Sequence, residues 1–142
     1  MERKAKVVWD GELRSGQGQI STGSGAISLP VTFPARLESE SDVTSPEEMI
    51  AAAHATCFAM SLSNVLTTGG NPPERLEVNA TCTLDRTDSG LKISKMQLDV
   101  NGKVAGIDAA AFSEAAKKAE QSCPVSGALR GNVDIGVNAN LS

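Results

Sequence analysis

Aromatic side chains are scarce in this sequence. Its 142 residues include one tryptophan and three phenylalanines, and tyrosine is absent. The core therefore has to be built from alanine, valine, leucine and isoleucine, which bury less area per residue but let backbones approach closely. The length suits one domain, so we expect a single domain over residues 1–142. Such a chain would also gain stability by burying a face against a second copy.

A concentrated basic surface is lacking as well. The chain carries 13 Lys and Arg against 17 Asp and Glu, a net charge of −4, which argues against a nucleic-acid partner. It has no uninterrupted apolar run of 18 residues, so we expect no membrane span and no membrane partner. Residues 1–6 are charged with no apolar region behind them, so we expect no secretory signal and a cytoplasmic location.

The first 43 residues predict an antiparallel meander followed by a surface connection. Val7-Val8-Trp9 leads into Asp10-Gly11, a signal for a two-residue hairpin turn of type I′, and the chain returns through Leu13 toward residues 16–22. A glycine-containing turn then precedes a short strand that Pro30 ends. The acidic, proline-containing stretch 33–43 is typical of a connection on the surface.

A long central helix is predicted over about residues 46–66. Ser45 precedes Pro46, and Glu48 follows three residues after Ser45, which is the pattern of a capping box with proline at the first helical position. The helix should end before Gly69. Residues 50–60 are apolar nearly all round, so we expect this helix to be buried on every side.

The remaining residues alternate between strand and helix patterns. A half-buried strand around residues 78–84 turns at 88–90 into a second strand, whose apolar alternation changes parity and predicts a bulge near 94–95. Gly106 and Asp108 open a second helix over about residues 108–122, followed by a short helix from Pro124 to Leu129. The apolar stripe of the second helix is predicted to be Phe112, Ala115, Ala116, Ala119 and Cys123. A closing strand completes an order of strands, helix, strands, helix and strand, which predicts an α+β fold.

The three cysteines have neither the even count nor the close spacing of a disulfide framework. Cys82 alternates with apolar residues of a strand, which favours a buried small side chain. Cys57 lies midway along the alanine-rich helix. Cys123 lies at a helix–proline junction, where it could cap the short helix and meet backbone N–H groups that lower a thiol pKa. These two could meet only through tertiary contact, with Cα atoms within about 7 Å if they are to form a disulfide.

Several kinds of chemistry remain open for these thiols. A zinc site has enough candidate ligands in the cysteines and His54, but not the usual short spacing. A hydrolase would pair Cys57 with His54 on one helix face, yet a mid-helix thiol has no free N–H groups beside it for an oxyanion hole. His54 is alternatively a buried packing residue. Thiol redox chemistry needs a second cysteine and a cation that favours the thiolate; Arg36 is the candidate, unless it is a solvated loop charge.

Two segments resemble the signature segments of the OsmC/Ohr family, the osmotically inducible and organic-hydroperoxide-resistance proteins. They are residues 44–58, Thr-Ser-Pro-Glu-Glu-Met-Ile-Ala-Ala-Ala-His-Ala-Thr-Cys-Phe, and residues 122–126, Ser-Cys-Pro-Val-Ser. The resemblance extends from the Trp9-Asp10-Gly11 hairpin to the closing strand, and the Ala-Ala-His-Ala stretch before Cys57 is more similar to the OsmC branch. It implies an intertwined homodimer in which antiparallel strands wrap around two main helices.

The resemblance also implies a thiol-dependent peroxidase that reduces organic hydroperoxides better than hydrogen peroxide, in oxidative and osmotic stress defence. By resemblance Cys57 is the peroxidatic cysteine, Cys123 the resolving cysteine, Arg36 the residue that stabilises the thiolate, and Glu47 the residue that orients Arg36. Cys82 matches no family motif. No cofactor or metal is implied; an external dithiol or lipoylated protein would be the reductant.

Helix geometry adds an expectation about how the active site is shared. Glu47 and Cys57 are ten residues apart, about 15 Å along one helix, so one arginine should not reach both in the same chain. We therefore expect Arg36 to serve the partner subunit's Cys57. An apolar rim including Phe58 and Met60 would favour alkyl substrates. The alternatives are a non-catalytic stress protein with inert thiols and a dimer that binds small molecules.

Overall fold

The computed structural model describes residues 1–38 and 40–142; Ser39, within the predicted surface connection, lies outside the described residues. The described chain forms two compact units, Met1–Met49 and Ile50–Ser142, so the single domain stays a prediction. The α+β class is confirmed by two sheets and three α-helices among these residues. In order, the elements are β1 (Ala5–Asp10), β2 (Gln17–Thr22), β3 (Ser28–Val31), a 3-10 turn (Pro34–Arg36), α1 (Pro46–Thr68), β4 (Pro73–Thr87), β5 (Gly90–Val104), α2 (Ala109–Ser122), α3 (Pro124–Leu129) and β6 (Asp134–Leu141).

The N-terminal sheet has the predicted antiparallel order β1-β2-β3. Two details differ from the sequence prediction. The β1–β2 connection spans residues 11–16 instead of a two-residue turn, closed by the Gly16 N–H donating to the Glu12 carbonyl at 2.7 Å. Strand β3 continues through Pro30, which pairs opposite Gln19, because β3 is an edge strand where a missing N–H is tolerated.

The start of α1 is capped largely as predicted. The Ser45 hydroxyl oxygen accepts the Glu48 backbone N–H at 3.1 Å. The Glu48 carboxylate, however, accepts the Thr44 hydroxyl at 2.6 Å instead of completing the reciprocal capping box. The helix ends at Thr68, two residues beyond the expected end and before Gly69.

The expectation that α1 is buried on every side is wrong for the single chain. Phe58, Leu62 and Leu66 are at most 2% exposed. The opposite face is exposed, at positions Ala52, Ala53, Thr56, Met60, Asn64 and Thr67. A spacing of three or four residues places these side chains on one stripe of the helix. Within the described residues, the chain therefore covers one face of α1 and leaves the other to solvent.

By length and composition, α1 is also apolar enough to cross a membrane, although it contains no uninterrupted apolar run of 18 residues. A helix in the core of a globular protein meets the same two criteria. Because the buried stripe of α1 packs with α2 and β5 in one hydrophobic cluster, its apolar character has a structural explanation without a membrane.

The second sheet has the order β4-β5-β6. The bulge predicted from the change of parity is present: Thr83 pairs with Lys95 and Leu84 with Ile93, which leaves Ser94 as the extra residue. Strand β6 pairs parallel to β5, whereas the prediction was for antiparallel strands. The reason is the crossover through α2 and α3, which returns the chain to the same end of the sheet before β6 begins.

Helix α2 presents the predicted apolar stripe to this sheet. Asp108 caps it, accepting the Ala111 N–H at 2.8 Å. The side chains of the stripe are buried: Phe112, Ala115, Ala116 and Ala119. They form one core with Phe58, Leu98 and Val100, and the same core includes Cys123, where α2 gives way to α3.

Close packing of β5 against α2 predicts that Gly102→Ala destabilises the fold. A Cβ atom at Gly102 would lie 2.3 Å from Cζ of the fully buried Phe112. We expect a loss of about 1–3 kcal/mol in the free energy of unfolding, measured by urea denaturation. Gly127→Ala is the matched control: in α3 an added Cβ meets no described atom within 4 Å, so stability should stay level or rise by about 1 kcal/mol at most. Equal stability of the two variants would contradict this view of the packing.

Candidate active site

Arg36 and Glu47 form an ion pair within the N-terminal unit. Arg36 ends the 3-10 turn, and Glu47 lies in the first turn of α1, where an acidic side chain also suits the helix dipole. The guanidinium Nε–H donates to Glu47 Oε1 at 2.8 Å, and Nη2 lies 2.8 Å from the same oxygen. Glu47 is 7% exposed, and its Oε2 has no hydrogen-bond partner among the described residues. The hydrogen bond occupies one of the five guanidinium N–H groups, so Arg36 is held in place and can bind a second anion.

Cys57 and Cys123 form the second pair, within residues 50–142. Cys57 is half-buried midway along α1, and Cys123 is 1% exposed at the N-cap of α3. Their side chains lie close enough to shift each other's pKa, and no disulfide joins them. The α3 N-terminus lies at the same place, because the Val125 backbone N–H lowers the pKa of both thiols. Two thiols that are 66 positions apart in sequence are thus brought into contact.

The pKa values of these two thiols move in opposite directions. Burial raises the pKa of Cys57. The Val125 N–H lowers that pKa, and the contact of Cys57 with Cys123 raises it further. Burial alone would raise the pKa of Cys123, but hydrogen bonds from the Ser126 N–H, the Cys57 thiol, the Ser126 hydroxyl and the Val125 N–H together lower it.

The sequence did not reveal the backbone N–H group beside Cys57. The prediction assumed that a mid-helix thiol has no N–H group beside it, yet α3 supplies the Val125 N–H. The signal was present in Cys123-Pro124: a capping residue followed by proline at the first helical position marks a helix start, whose first N–H groups have no partner within the helix. What the sequence did not contain was the placement of that helix start against α1.

His54 is fully buried, as the packing interpretation expected, but it has a polar partner. Its Nε2 lies 2.7 Å from the Ser126 hydroxyl oxygen. That contact makes Ser126, rather than Cys57, the hydrogen-bonding partner of His54, against the hydrolase alternative. Within the part of the chain that the structure describes, no three His, Cys, Asp or Glu side chains are grouped to hold a metal ion.

The third cysteine lies away from this pair. Cys82 is half-buried on β4 and packs against a small separate cluster formed by Ala51, Met96 and Val133. The apolar surroundings agree with the prediction for Cys82, although the side chain is half-buried instead of fully buried.

An apolar cavity of about 240 Å³ lies beside Arg36 in the N-terminal unit. Its lining combines Arg36 with mostly apolar side chains, including Val7, Trp9, Leu13, Ile20, Phe33 and Met49. The expected rim at Phe58 is wrong, because Phe58 is fully buried in the core and cannot face a substrate. Met60, the other expected rim residue, is 68% exposed on α1.

Comparison with known proteins identifies the family. The family model for OsmC-like protein matches residues 39–138. The chain belongs to the OsmC family. Peroxiredoxin OsmC of Escherichia coli (strain K12) is 38% identical over 136 residues, covering 95% of this chain and 94% of that protein. Organic hydroperoxide resistance protein OhrA of Bacillus subtilis (strain 168) is 32% identical over 123 residues, covering 84% of each.

Solved structures of the OsmC family share this fold. An organic hydroperoxide resistance protein OsmC from Legionella pneumophila aligns with a TM-score of 0.78 at 26% identity, over 99% of this chain and 97% of that one. The fold and the family predicted from the two signature segments are therefore confirmed, and the higher identity to OsmC than to OhrA agrees with the OsmC branch.

Proposed function

We propose that this chain is a thiol-dependent peroxidase that reduces organic hydroperoxides through Cys57 and Cys123. The observation that carries the proposal is the contact between the Cys57 and Cys123 side chains at the start of α3. Relatives that align with most of the chain are named peroxiredoxin and organic hydroperoxide resistance protein, which supports a peroxide-related redox role.

The reaction has three steps, each at sulfur. The Cys57 thiolate attacks the terminal oxygen of the hydroperoxide, the O–O bond breaks, and the alkoxide takes a proton and leaves as the alcohol. Cys57 is then a sulfenic acid. Cys123 attacks its sulfur, the S–S bond forms, and the hydroxyl leaves as water after taking up the proton that Cys123 lost. An external dithiol, of the lipoyl type that the family resemblance implies, reduces the disulfide by exchange; no bound cofactor takes part.

The thiolate at Cys57 requires a cation that the sulfur pair does not provide, because burial raises the pKa of Cys57. Arg36 is the candidate, held by Glu47 with N–H groups to spare. Glu47 and Cys57 are ten residues apart on α1, about 15 Å along its axis. We therefore assign to each Cys57 the Arg36–Glu47 pair of the partner subunit.

The exposed face of α1 supports a homodimer. Ala52, Ala53 and Met60 are apolar yet solvent-exposed in the single chain. Alanine side chains allow two helices to approach closely, and a second copy would bury this face. Packing two α1 helices across it would bring one chain's thiol pair toward the other chain, as a shared site requires.

The cavity beside Arg36 supports an organic substrate. An alkyl or aryl group would gain from leaving water for a lining of valine, leucine, isoleucine and aromatic side chains, while hydrogen peroxide has no such group. The hydroperoxide oxygens would then lie near the guanidinium, where negative charge develops as the O–O bond breaks.

Cumene hydroperoxide should be consumed at least about tenfold more efficiently than hydrogen peroxide, measured as kcat/KM by stopped flow with a dithiol reductant. Leu13→Gln, which places an amide in the cavity lining, should lower this preference by about tenfold. Leu91→Gln is the control, since Leu91 is also exposed (38%, against 59% for Leu13) but lies on β5 outside the cavity. If neither peroxide is consumed, the thiols are inert and the proposed function is wrong.

A further inference from the structure

His54 and Ser126 are a buried polar pair to which the reaction above gives no role. His54 is the chain's single histidine, and both residues are fully buried. His54 precedes Cys57 by three residues on α1, and Ser126 follows Cys123 by three residues in α3. Their 2.7 Å contact therefore lies directly beside the sulfur pair.

Ser126 approaches Cys123 with two donors. Its backbone N–H donates to the Cys123 sulfur at 3.5 Å, and its hydroxyl lies near enough to that sulfur to lower the pKa of Cys123. A serine hydroxyl has one proton and can accept further hydrogen bonds at its oxygen. If that proton points at Cys123, the oxygen is left to accept a hydrogen bond from His54.

The unpartnered nitrogen of His54 indicates which tautomer is present. Nδ1 has no hydrogen-bond partner among the described residues. A proton on Nδ1 would be a buried donor without an acceptor, which is rarer in proteins than an acceptor without a donor. A neutral ring with its proton on Nε2 donates to Ser126 Oγ and leaves Nδ1 as the unpaired acceptor. In that arrangement, the hydroxyl proton is directed to the sulfur.

The charge state of His54 is consistent with this arrangement. Burial lowers the pKa of His54, and the Glu120 carboxylate opposes that shift. Glu120 is itself paired with Arg130 at 2.6 Å, which weakens its effect on the ring. Among the described residues, Glu120 is the one charged group that acts on the pKa of His54. A neutral imidazole is therefore the form expected at neutral pH.

We propose that His54 is a positioning residue, whose Nε2–H holds the Ser126 hydroxyl as a donor to the Cys123 sulfur and so prepares Cys123 for the disulfide-forming step. The inference rests on the proposed function. In that step, the Cys123 thiolate attacks the Cys57 sulfenic acid. The S–S bond forms, the S–O bond breaks, and the hydroxide leaves as water with the proton that Cys123 gave up. The hydroperoxide has already supplied the oxidising equivalents, so no further oxidant is needed.

Single-turnover kinetics separate this role from the first step. In His54→Leu and Ser126→Ala, attack on the hydroperoxide should keep its rate, whereas disulfide formation should slow by about tenfold, with its pH midpoint shifted upward by about one unit. The sulfenic acid should then accumulate and be trapped by dimedone. His54→Gln, whose amide N–H can replace the Nε2 donor, should restore most of the rate.

A purely structural role would lower the melting temperature, slow both steps together and leave the pH midpoint in place. Equal slowing of both steps, or an unchanged midpoint in His54→Leu, would overturn the proposal. If either single variant fails to fold, the double variant His54→Leu, Ser126→Ala removes both polar partners at once, which is less destabilising than leaving one of them unpaired. It should show the same slow disulfide step.

A second measurement does not depend on peroxidase activity. In the Cys57→Ser, Cys82→Ser background, Cys123 is the remaining thiol, and its ionisation can be followed by thiolate ultraviolet absorbance. Adding His54→Leu should raise the pKa of Cys123 by about one unit. An unchanged pKa would overturn the role of His54 even if the peroxidase function holds. A raised pKa in a chain that consumes no hydroperoxide would instead reject the proposed function alone.

Discussion

Hydroperoxide turnover is expected to fall to background, a loss of at least about a thousandfold, when Cys57 is replaced by serine. A serine hydroxyl is a poor nucleophile at neutral pH and has no sulfur to carry the oxidation to sulfenic acid. Cys57→Ser keeps the size of the side chain and a hydrogen-bond donor toward Cys123, so the fold should survive. The measurement is stopped-flow consumption of cumene hydroperoxide with excess dithiol.

Two further variants are the controls for this experiment. Cys82→Ser changes a half-buried thiol on β4 that packs in a separate cluster, so it should keep full turnover with at most a modest loss of stability. Cys123→Ser should still consume one equivalent of hydroperoxide and then stop at the sulfenic acid. If Cys57→Ser is active and Cys123→Ser cannot react, the roles are reversed. That outcome has a physical basis, because the single chain lowers the pKa of Cys123 and raises that of Cys57.

Local signals in the sequence predicted the elements well. The Ser45-Pro46 pair and Asp108 marked two helix starts that the structure confirms through side-chain caps. The parity change after Ile93 located the bulge at Ser94, since a bulge is the way a strand changes the side on which its apolar residues lie. These features depend on a few neighbouring residues, and so a single sequence contains them.

The parts that failed depend on contacts between distant segments. The alanine-rich stretch of α1 has no polar face, so its pattern predicted burial all round and could not show that one chain covers only one face. The contact between His54 and Ser126 joins positions 72 apart in sequence, and nothing in either segment indicates it. The family resemblance supplied the roles of Cys57 and Cys123, but the amide and hydroxyl groups that surround their sulfurs became visible only in the structure.

Mixed dimers should regain activity that neither parent variant has. One parent carries Cys57→Ser and the other Arg36→Ala. If Arg36 serves the partner's thiol, each heterodimer contains one site with both an intact cysteine and an intact arginine, and one site with neither. We expect about half of the wild-type activity per heterodimer, with almost none in either homodimer. Subunits would be exchanged under mild denaturant, and heterodimers isolated through two different tags.

The reciprocal mixture tests the same geometry in the opposite direction. A wild-type chain paired with a Cys57→Ser, Arg36→Ala chain has one site without a cysteine and one without an arginine, so a shared site predicts almost no activity. A site complete within one chain predicts about half of the wild-type activity in this second mixture, because the wild-type chain carries both Cys57 and Arg36. It predicts no activity in the first mixture, where neither chain carries both. Since Arg36→Ala leaves the buried Glu47 carboxylate without its cation, Glu47→Gln can be added to both arginine variants to keep them folded. A shared site therefore predicts activity in the first mixture and almost none in the second, whereas a site within one chain predicts the opposite. A general loss of stability would lower activity in both mixtures and cannot produce this reversal.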